Sequence, residues 1–363
     1  MSMSQKRRRF LLSTLGVVCA SGLMAGAFGS RQSSKEQKLP VLLGCAQRAD
    51  GGFEVSAISV DGKPCYRVPL PKRGHGIALS KDHRIAFVFA RRPGEFIQVI
   101  DTDSGKVLSL FEQQEGRIFY GHGDVHGEYL YTSEGVTETS EGIVGVYKIS
   151  SSGGLSKVRE FSGFGIGPHE IRVVNDTTLA VAVGGIKTRG REKLNIDDMA
   201  PALVLLDREN GEIKGRYELH DHQLSIRHMA VTSSGGVVVA QQYKGESEDA
   251  LPLLAVLSSG GQFYSLNARE DQWQRFNHYI GSVACTDSQI VATSPRGNCF
   301  GVWDMKSGEL LEIGSLLDAS GASADKTGFA LSSGSGRLVM QKTEKSHTYH
   351  DSDVVWDNHW VML

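Results

Sequence analysis

Residues 97–111 read IQVIDTDSGKVLSLF, and this stretch decides the fold. Apolar residues lead up to Asp101, the tight turn Asp103-Ser104-Gly105 follows, and apolar residues resume at Val107. A glycine at such a turn supplies the positive φ that hairpin turns need. The stretch therefore predicts two antiparallel strands joined by a short loop.

Five further stretches repeat this pattern of an apolar strand, a short turn and a second strand. They are residues 55–68 with a turn at Asp61-Gly62, 144–161 at Ser152-Gly153-Gly154, 203–219 at Asn210-Gly211, 253–266 at Gly260-Gly261, and 302–313 at Lys306-Ser307-Gly308. Repeats of roughly 40 to 60 residues that contain strands alone are typical of a propeller or a similar closed array.

Before each later hairpin lies another pair of strands, and the first strand of the pair begins at a point marked by Gly, His or Ser. These points are Gly74-His75-Gly76, Gly121-His122-Gly123, Gly167-Pro168-His169-Glu170, Ser225-Ile226-Arg227-His228, Gly281-Ser282-Val283 and Ser320-Gly321-Ala322. Each interval between them is interpreted as one four-stranded blade. The sixth blade has the weakest pattern, because residues 346–356 fit an outer strand poorly.

The two ends of the chain predict one more blade. Residues 42–47, 53–60 and 66–70 read as three strands, and residues 357–363 read as one apolar strand. We therefore expect an all-β fold, a seven-bladed β-propeller over residues 40–363. The C-terminal strand would close it by pairing with the N-terminal three-stranded segment, which removes exposed sheet edges.

The N-terminus reads as an export signal. Residues 1–27 contain a basic stretch at 6–9, a short apolar run and the small residues Ala25-Gly26-Ala27, which are typical of a cleavage site. Residues 7–11, RRRFL, look like a twin-arginine signature. An uncleaved membrane anchor is the less favoured alternative, because the apolar run is short for a span. Residues 28–39 read as a flexible leader, and we expect the protein in the periplasm.

The charge of the chain argues against a nucleic-acid partner. It has 39 Lys and Arg against 41 Asp and Glu, a formal net charge of −2, and no basic stripe of the kind that such binding needs. The sequence has no Walker loop, no dinucleotide fingerprint and no Gly-x-Ser-x-Gly elbow, which argues against common nucleotide and hydrolase chemistry. We expect a monomer.

Histidines recur at equivalent places in the predicted repeats. The first strand of each propeller blade lines the central channel, so equivalent residues should form a ring, and on this alignment the ring contains His75, His122, His169, His228 and His359. Imidazole is a common ligand of iron, copper, zinc and nickel. The sequence therefore predicts a metal site in the channel. The alternative is that each histidine only ties neighbouring blades together through hydrogen bonds.

Four other residues are candidates for supporting such a site. Glu170 could hydrogen-bond a ring nitrogen or complete the metal coordination. Arg73 and Arg227 border the histidines and could bind a carboxylate or phosphate group, and Arg296 could present its guanidinium to an anion at the channel mouth. The insertions at residues 184–200 and 243–251 would stand on the surface, where functional residues are more often found than in strands.

Several motifs together resemble one known protein family. They are Arg73-Gly74-His75-Gly76, Gly121-His122-Gly123, Gly165-Ile166-Gly167-Pro168-His169-Glu170, Gly184-Gly185-Ile186, Lys193-Leu194-Asn195, Ser225-Ile226-Arg227-His228, Gly281-Ser282-Val283-Ala284, Ser294-Pro295-Arg296-Gly297-Asn298 and Trp356-Asp357-Asn358-His359. They look like those of a proteobacterial family of exported propellers, similar to YVTN and YncE-like repeats and known only as a domain of unknown function. The resemblance implies partners, because such proteins are often encoded beside imelysin-type iron-uptake proteins and a di-haem peroxidase-like protein.

Three functions are compatible with these residues. The first is a periplasmic protein that binds iron or copper through the channel histidines, as an accessory to metal uptake. The second is a metal-dependent enzyme that uses the same site, with Glu170 as the candidate general base. The third is a scaffold that docks envelope partners and uses the histidines only structurally. The first is favoured, which makes an enzymatic role the less favoured reading.

Overall fold

The computed structural model describes residues 39–190, 192–342 and 345–363. The export signal predicted at residues 1–27 lies outside the described residues, as does all but the last residue of the leader predicted at 28–39. The described chain is built from strands, with one short helix, α1 (Glu270–Gln274). No helix in this part of the chain has the length and apolar character needed to cross a bilayer.

The first strands of the chain pair in sequence order. They are β1 (Pro40–Arg48), β2 (Phe53–Ser59) and β3 (Pro64–Leu70), which correspond to the three strands predicted at this end. Five sheets of four antiparallel strands follow in turn. The first contains β4 (Gly74–Leu79), β5 (Ile85–Ala90), β6 (Phe96–Asp101) and β7 (Val107–Glu112). The second contains β8 (Arg117–His126), β9 (Tyr129–Val136), β10 (Gly142–Ile149) and β11 (Leu155–Phe161).

The third of these sheets is interrupted by a small hairpin. It contains β12 (Pro168–Asn175), β13 (Thr178–Val183), β16 (Ala202–Asp207) and β17 (Ile213–Tyr217). The hairpin pairs β14 (Thr188–Arg189) with β15 (Glu192–Lys193) and lies within the insertion identified at residues 184–200.

The fourth sheet contains β18 (Leu224–Val231), β19 (Val237–Tyr243), β20 (Leu254–Leu257) and β21 (Phe263–Ser265). A fifth four-stranded sheet contains β22 (Ser282–Cys285), β23 (Gln289–Ser294), β24 (Cys299–Asp304) and β25 (Leu310–Ser315).

The last strands join the two ends of the chain. They are β26 (Ala319–Asp325), β27 (Gly328–Ser333), β28 (Arg337–Lys342), β29 (Lys345–His350) and β30 (Val354–Met362). The final strand, β30, pairs antiparallel with β1 over Leu42↔Met362 to Arg48↔Val354. It also meets β26 at one parallel position, Ala322↔His359. These pairings give an eight-stranded sheet in the order β29-β28-β27-β26-β30-β1-β2-β3.

One strand of each four-stranded group contacts its counterpart in the next group. Strand β4 contacts β8, β8 contacts β12, and the series continues in the same way through β18, β22, β26 and β30. Strand β30 in turn contacts β4. The apolar core lies between neighbouring sheets: Tyr131 and Val144 of one sheet, for example, share a cluster with Val181 and Val204 of the next. Burial of these faces between sheets is what fixes each sheet against its neighbour.

The six predicted hairpins are confirmed. Each forms an antiparallel pair, and a turn glycine in each has a positive φ between +72° and +84°. The glycines are Gly62, Gly105, Gly153, Gly211, Gly261 and Gly308. An L-residue rarely adopts this conformation, so the sequence marks the turns unambiguously.

The expectation that residues 346–356 fit an outer strand poorly is wrong for residues 346–350, which belong to β29, whereas residues 354–356 begin β30. Strand β29 pairs with β28 along its whole length, from Arg337↔His350 to Lys342↔Lys345. Its Tyr349 hydroxyl donates a hydrogen bond of 2.9 Å to the carbonyl oxygen of Val60 in the neighbouring group of strands. An edge strand buries little of its surface, so its sequence carries little of the apolar alternation on which the expectation relied.

The junction between β1 and β30 gives a test of the fold. Trp360 is buried, packs at 4.6 Å from the Trp356 ring, and covers Gly44, where an added Cβ would come within 2.6 Å of the indole. We expect Trp360→Ala to lower the free energy of unfolding by about 3 to 5 kcal/mol, since it removes a large side chain from a filled site. Guanidinium unfolding followed by fluorescence measures this loss.

A control lies on the same strand. Val355 is 48% exposed, so Val355→Ala should change the free energy of unfolding by less than about 0.5 kcal/mol. Equal losses in the two variants would show that the indole does not hold the chain ends together.

Candidate functional site

The five predicted ring histidines converge on one point. The ring centroids are 4.5 Å apart for His75 and His359, 4.6 Å for His122 and His359, and 4.7 Å for His169 and His228. The ring centroids of His75 and His169 lie farther apart, at 6.2 Å. His75, His122 and His228 are buried, and the other two are partly buried. We call these five residues the histidine cluster.

A local irregularity in the sheet accompanies every member of the cluster. The strand register shifts between Gly74 and Ile77, between Phe119 and Gly123, and between Pro168 and Ile171. It shifts again at His228, and a fifth time opposite β1 where β30 carries His359. An extra residue at such a bulge bends the strand and re-aims a side chain. The repeated bulges therefore account for how five separate strands turn imidazoles toward one centre.

Asp357 fixes the orientation of His75. The Nδ1 of His75 donates to Oδ1 of Asp357 at 2.6 Å, and Nε of Arg73 donates to Oδ2 at 2.6 Å. Arg91 lies 3.8 Å from the same carboxylate. Burial alone would raise the pKa of Asp357, but His75 and the two guanidiniums outweigh it and hold the pKa well below its usual range. Asp357 is thus a buried, permanent anion whose partner ring keeps Nε2 for other use.

Glu170 plays the corresponding part for His228. Its Oε2 lies 3.3 Å from Nδ1 of His228 and accepts a 3.0 Å hydrogen bond from the backbone N–H of Met229. Its Oε1 lies 3.5 Å from Nε of Arg172. A carboxylate bound to one ring nitrogen sets the tautomer and makes the second nitrogen a better ligand.

The other three histidines each present a buried nitrogen without a hydrogen-bond partner. These atoms are Nε2 of His122, Nδ1 of His169 and Nε2 of His359. A buried polar atom left unsatisfied costs about 1 to 3 kcal/mol. Three such atoms in one cluster point to a bound species that would complete their bonding.

Burial favours the neutral form of four members of the cluster. Burial lowers the pKa of His122, His169 and His359 well below the ordinary value, and the neighbouring imidazoles lower it further. Burial also lowers the pKa of His75, against the opposing effect of Asp357. Neutral imidazole, unlike imidazolium, has a free lone pair for a metal ion.

The spacing of the nitrogens fits a metal ion after a small contraction. Candidate ligand atoms lie within 4.8 Å of one another in two sets of three that share His122: His75, His122 and His169, and His122, His228 and His359. Metal–nitrogen bonds of about 2.1 Å allow ligand atoms at most about 4.2 Å apart. The rings would therefore move inward by a few tenths of an ångström each.

Two cavities meet the cluster. The larger has a volume of about 250 Å³, and we call it the cationic cavity; its lining residues include His75, His169, His228, Arg91, Arg92, Lys193, Arg227, Lys244, Arg296 and Tyr279. The smaller, of about 50 Å³, is lined by His122, His359, Glu170 and Arg172 among others. Small ligands can thus approach different members of the cluster from two separate spaces.

Each residue singled out in the sequence has a place here. Glu170 lies against His228, Arg73 binds Asp357, and Arg227 and Arg296 line the cationic cavity. Asp357 was not among the predicted site residues, although it stands only two residues before His359. The cavity residues Arg91, Arg92, Lys193 and Lys244 were not predicted either, and the last two belong to the inserted loops.

Comparison with known structures supports the fold. Hydrazine synthase from Kuenenia stuttgartiensis superimposes with a TM-score of 0.62 at 12% identity, over 92% of this chain and 100% of that one. BamB from Moraxella catarrhalis gives a TM-score of 0.50 at 12% identity, over 85% of this chain and 87% of that one. Identities this low show a common fold alone, the β-propeller.

Sequence comparison places the chain in a family without giving it an activity. No curated protein sequence is significantly similar to it. Residues 68–363, which include every member of the histidine cluster, match the family described as "Protein of unknown function (DUF1513)". By this match over most of its length, the chain belongs to that family.

Proposed function

We propose that this protein binds a transition-metal ion, iron or copper, through the histidine cluster, and that it does so in the bacterial periplasm. The observation that carries the proposal is the set of three buried, unpartnered imidazole nitrogens of His122, His169 and His359. Structural histidines gain nothing from leaving these atoms unbonded, whereas a bound metal ion would satisfy them together.

The surrounding residues support metal binding at this point. Asp357 and Glu170 hold Nδ1 of His75 and His228, an arrangement common behind metal-ligating histidines. The two carboxylates also place two negative charges behind rings that would face a cation. Arg73 and Arg172 contact these carboxylates from outside and so fix their positions.

The donor set bears on which metal binds. A site of neutral imidazoles without thiolate suits copper, zinc, iron and nickel, and divalent copper binds most tightly in the usual affinity order. Copper should therefore displace zinc or ferrous iron in direct competition. Which ion is loaded in the cell depends also on supply. Iron is proposed because the chain resembles a family that is often encoded beside imelysin-type iron-uptake proteins.

The channel that holds the cluster follows from the arrangement of sheets. We infer seven blades: the five four-stranded sheets, and the eight-stranded sheet counted as two, divided where β26 meets β30 at a single position. The pairing of β1 with β30 and the run of contacts from β4 round to β30 support closure as predicted. A closed array brings the same position of each inner strand to one axis.

The contacts of Glu170 favour binding over catalysis. A general base needs a free carboxylate oxygen near the reacting atom. Glu170 instead bonds His228, the N–H of Met229 and Arg172, so its oxygens are already engaged. A scaffold without metal is the remaining alternative, and the first experiment below separates it from a metal-binding protein.

The cellular setting is proposed from the sequence. The twin-arginine signature at residues 7–11 supports export of the folded chain to the periplasm. There the protein would act as a monomer and as an accessory to metal uptake, with imelysin-type or haem proteins of the envelope as partners. Its formal net charge of −2 argues against a nucleic-acid partner.

The metal content of the purified protein tests the proposal. Untagged protein from the periplasm should carry close to one equivalent of iron or copper by inductively coupled plasma mass spectrometry, and His122→Ala/His169→Ala should lose most of it. The double variant removes one ligand shared by both sets of three and one ligand of the first set.

The exposed His222 provides the matched control, because its side chain lies outside the cluster. His222→Ala should keep the full metal content, and circular dichroism checks that both variants are folded. A wild-type protein that carries no metal, and that gains no thermal stability from added copper, zinc or ferrous iron, would contradict metal binding and favour the scaffold function.

The lowered histidine pKa values predict an acid-sensitive fold. Below about pH 6.5 these histidines bind protons in the unfolded chain, whereas buried His122, His169 and His359 stay unprotonated in the folded protein. The free energy of unfolding is therefore at its full value above this pH and falls below it. Each such histidine contributes a slope of about 1.4 kcal/mol per pH unit until its folded pKa is reached. Asp357 adds a further loss only below about pH 4.

Urea unfolding of metal-free protein between pH 7.5 and 5 measures this slope. We expect the slope to shrink in His122→Ala/His169→Ala and to stay unchanged in His222→Ala. A stability that is flat across this range would mean that the rings accept protons freely in the folded state.

A further inference from the structure

Positive charge is concentrated in the cationic cavity. Six basic side chains line it, and its described lining contains no acidic residue. Asp357 stands behind Arg91 at 3.8 Å and offsets part of that charge. A concentration of like charges is costly in a confined space, so the arrangement needs either water or an anion between the groups.

Arg227 is the most telling of the six. Its side chain lies deep in the cavity wall at 8% exposure, and its Nε has no hydrogen-bond partner. Gly184 lies against the guanidinium, so that a Cβ there would come within 3.2 Å of its carbon. A buried guanidinium with an unused donor is a site for an oxygen ligand, because arginine binds carboxylate and phosphate through fixed, planar donors.

Two further basic groups are held by neutral partners. The Arg296 guanidinium stacks 4.6 Å above the Tyr279 ring, and Nζ of Lys244 donates to Oε1 of Gln242 at 3.1 Å. These contacts orient both side chains and leave the Arg296 guanidinium charged and available to a ligand.

We propose that the cationic cavity binds a small oxyanion that carries two or more negative charges, of the phosphate or polycarboxylate class. Arg227 supplies the central contact, Lys244 and Arg296 the flanking ones. A volume of about 250 Å³ falls below the usual range of drug-sized sites, which suits a small anion better than a nucleotide or a cofactor. The proposal goes beyond metal binding and does not require it.

Isothermal titration calorimetry on metal-free protein tests this directly. The probes are sodium phosphate, sodium citrate and, as a monovalent control, sodium chloride. We expect phosphate or citrate to bind with one-to-one stoichiometry, and we expect this binding to weaken as ionic strength rises. Chloride should show no measurable binding. The stronger of the two probes identifies the phosphate or the polycarboxylate class.

Variants locate the site. Lys244→Gln/Arg296→Gln should weaken binding at least tenfold while leaving the fold intact, since Arg296 is exposed and Lys244 is partly exposed. Arg227→Gln should abolish binding, with circular dichroism to check folding. Lys81→Gln, which changes an exposed lysine outside the cavity, should bind as the wild type does.

Lys244 offers a second readout. Burial and the nearby Arg227, Lys193 and Arg296 lower the pKa of Lys244 to about 6, so most of the side chain is neutral at pH 7. A bound anion would offset these cations, raise this pKa and draw a proton from the buffer. Titrations in two buffers of different ionisation enthalpy should show that proton uptake, and Lys244→Gln should lack it.

Two results would overturn the proposal. One is the absence of binding by phosphate and citrate at millimolar concentration. The other is equal binding by wild type and Lys244→Gln/Arg296→Gln. Because these titrations use metal-free protein, their failure is independent of the metal content that tests the histidine cluster.

Discussion

The pairing of β30 with β1 is the contact on which the rest of the structure depends. It joins the last strand of the chain to the first and places Asp357, His359 and Trp360 beside strands formed some 300 residues earlier. Trp360 fills the space over Gly44, Asp357 binds His75, and His359 stands among the other imidazoles. One strand thus completes the sheet, the carboxylate support and the histidine cluster, so a loss of this pairing would remove all three.

The histidine cluster lowers the stability of the folded protein. Neighbouring imidazoles lie 4.5 to 6.2 Å apart, three of their nitrogens lack partners, and the strands that carry them are irregular at these positions. Apolar residues at the same positions would avoid these costs. Such local departures from the most stable arrangement are typical of functional sites, where the surrounding fold over-determines a conformation that binding then uses.

The sequence predicted what depends on local chemistry. Turn glycines such as Gly105 mark hairpins because few residues adopt a positive φ, and histidines recur at one position in five of the predicted repeats because that position faces the same centre. The support of His75 by Asp357 depends on a pairing between chain ends and has no local signal. Strand β29 was missed for the opposite reason, since an outer strand needs little apolar alternation to pair.

The cationic cavity was hidden for a related reason. Its basic residues come from separate parts of the chain between residues 91 and 296, so only the folded chain brings Arg91, Lys193 and Lys244 together. Arg227 and Arg296 were visible as single candidates, yet single arginines are common in any sequence. The signal lies in their number and in the lack of acidic residues around them.

The two proposed sites would influence each other through charge. His75, His169 and His228 line the cationic cavity, so a metal ion held by them would lie beside six basic side chains and be repelled. Asp357 and Glu170 offset only part of this repulsion. An oxyanion in the cavity would supply the missing negative charge and could donate an oxygen toward the metal. Because such coupling is reciprocal, metal and anion would each raise the affinity of the other, and the protein would retain the pair better than either alone.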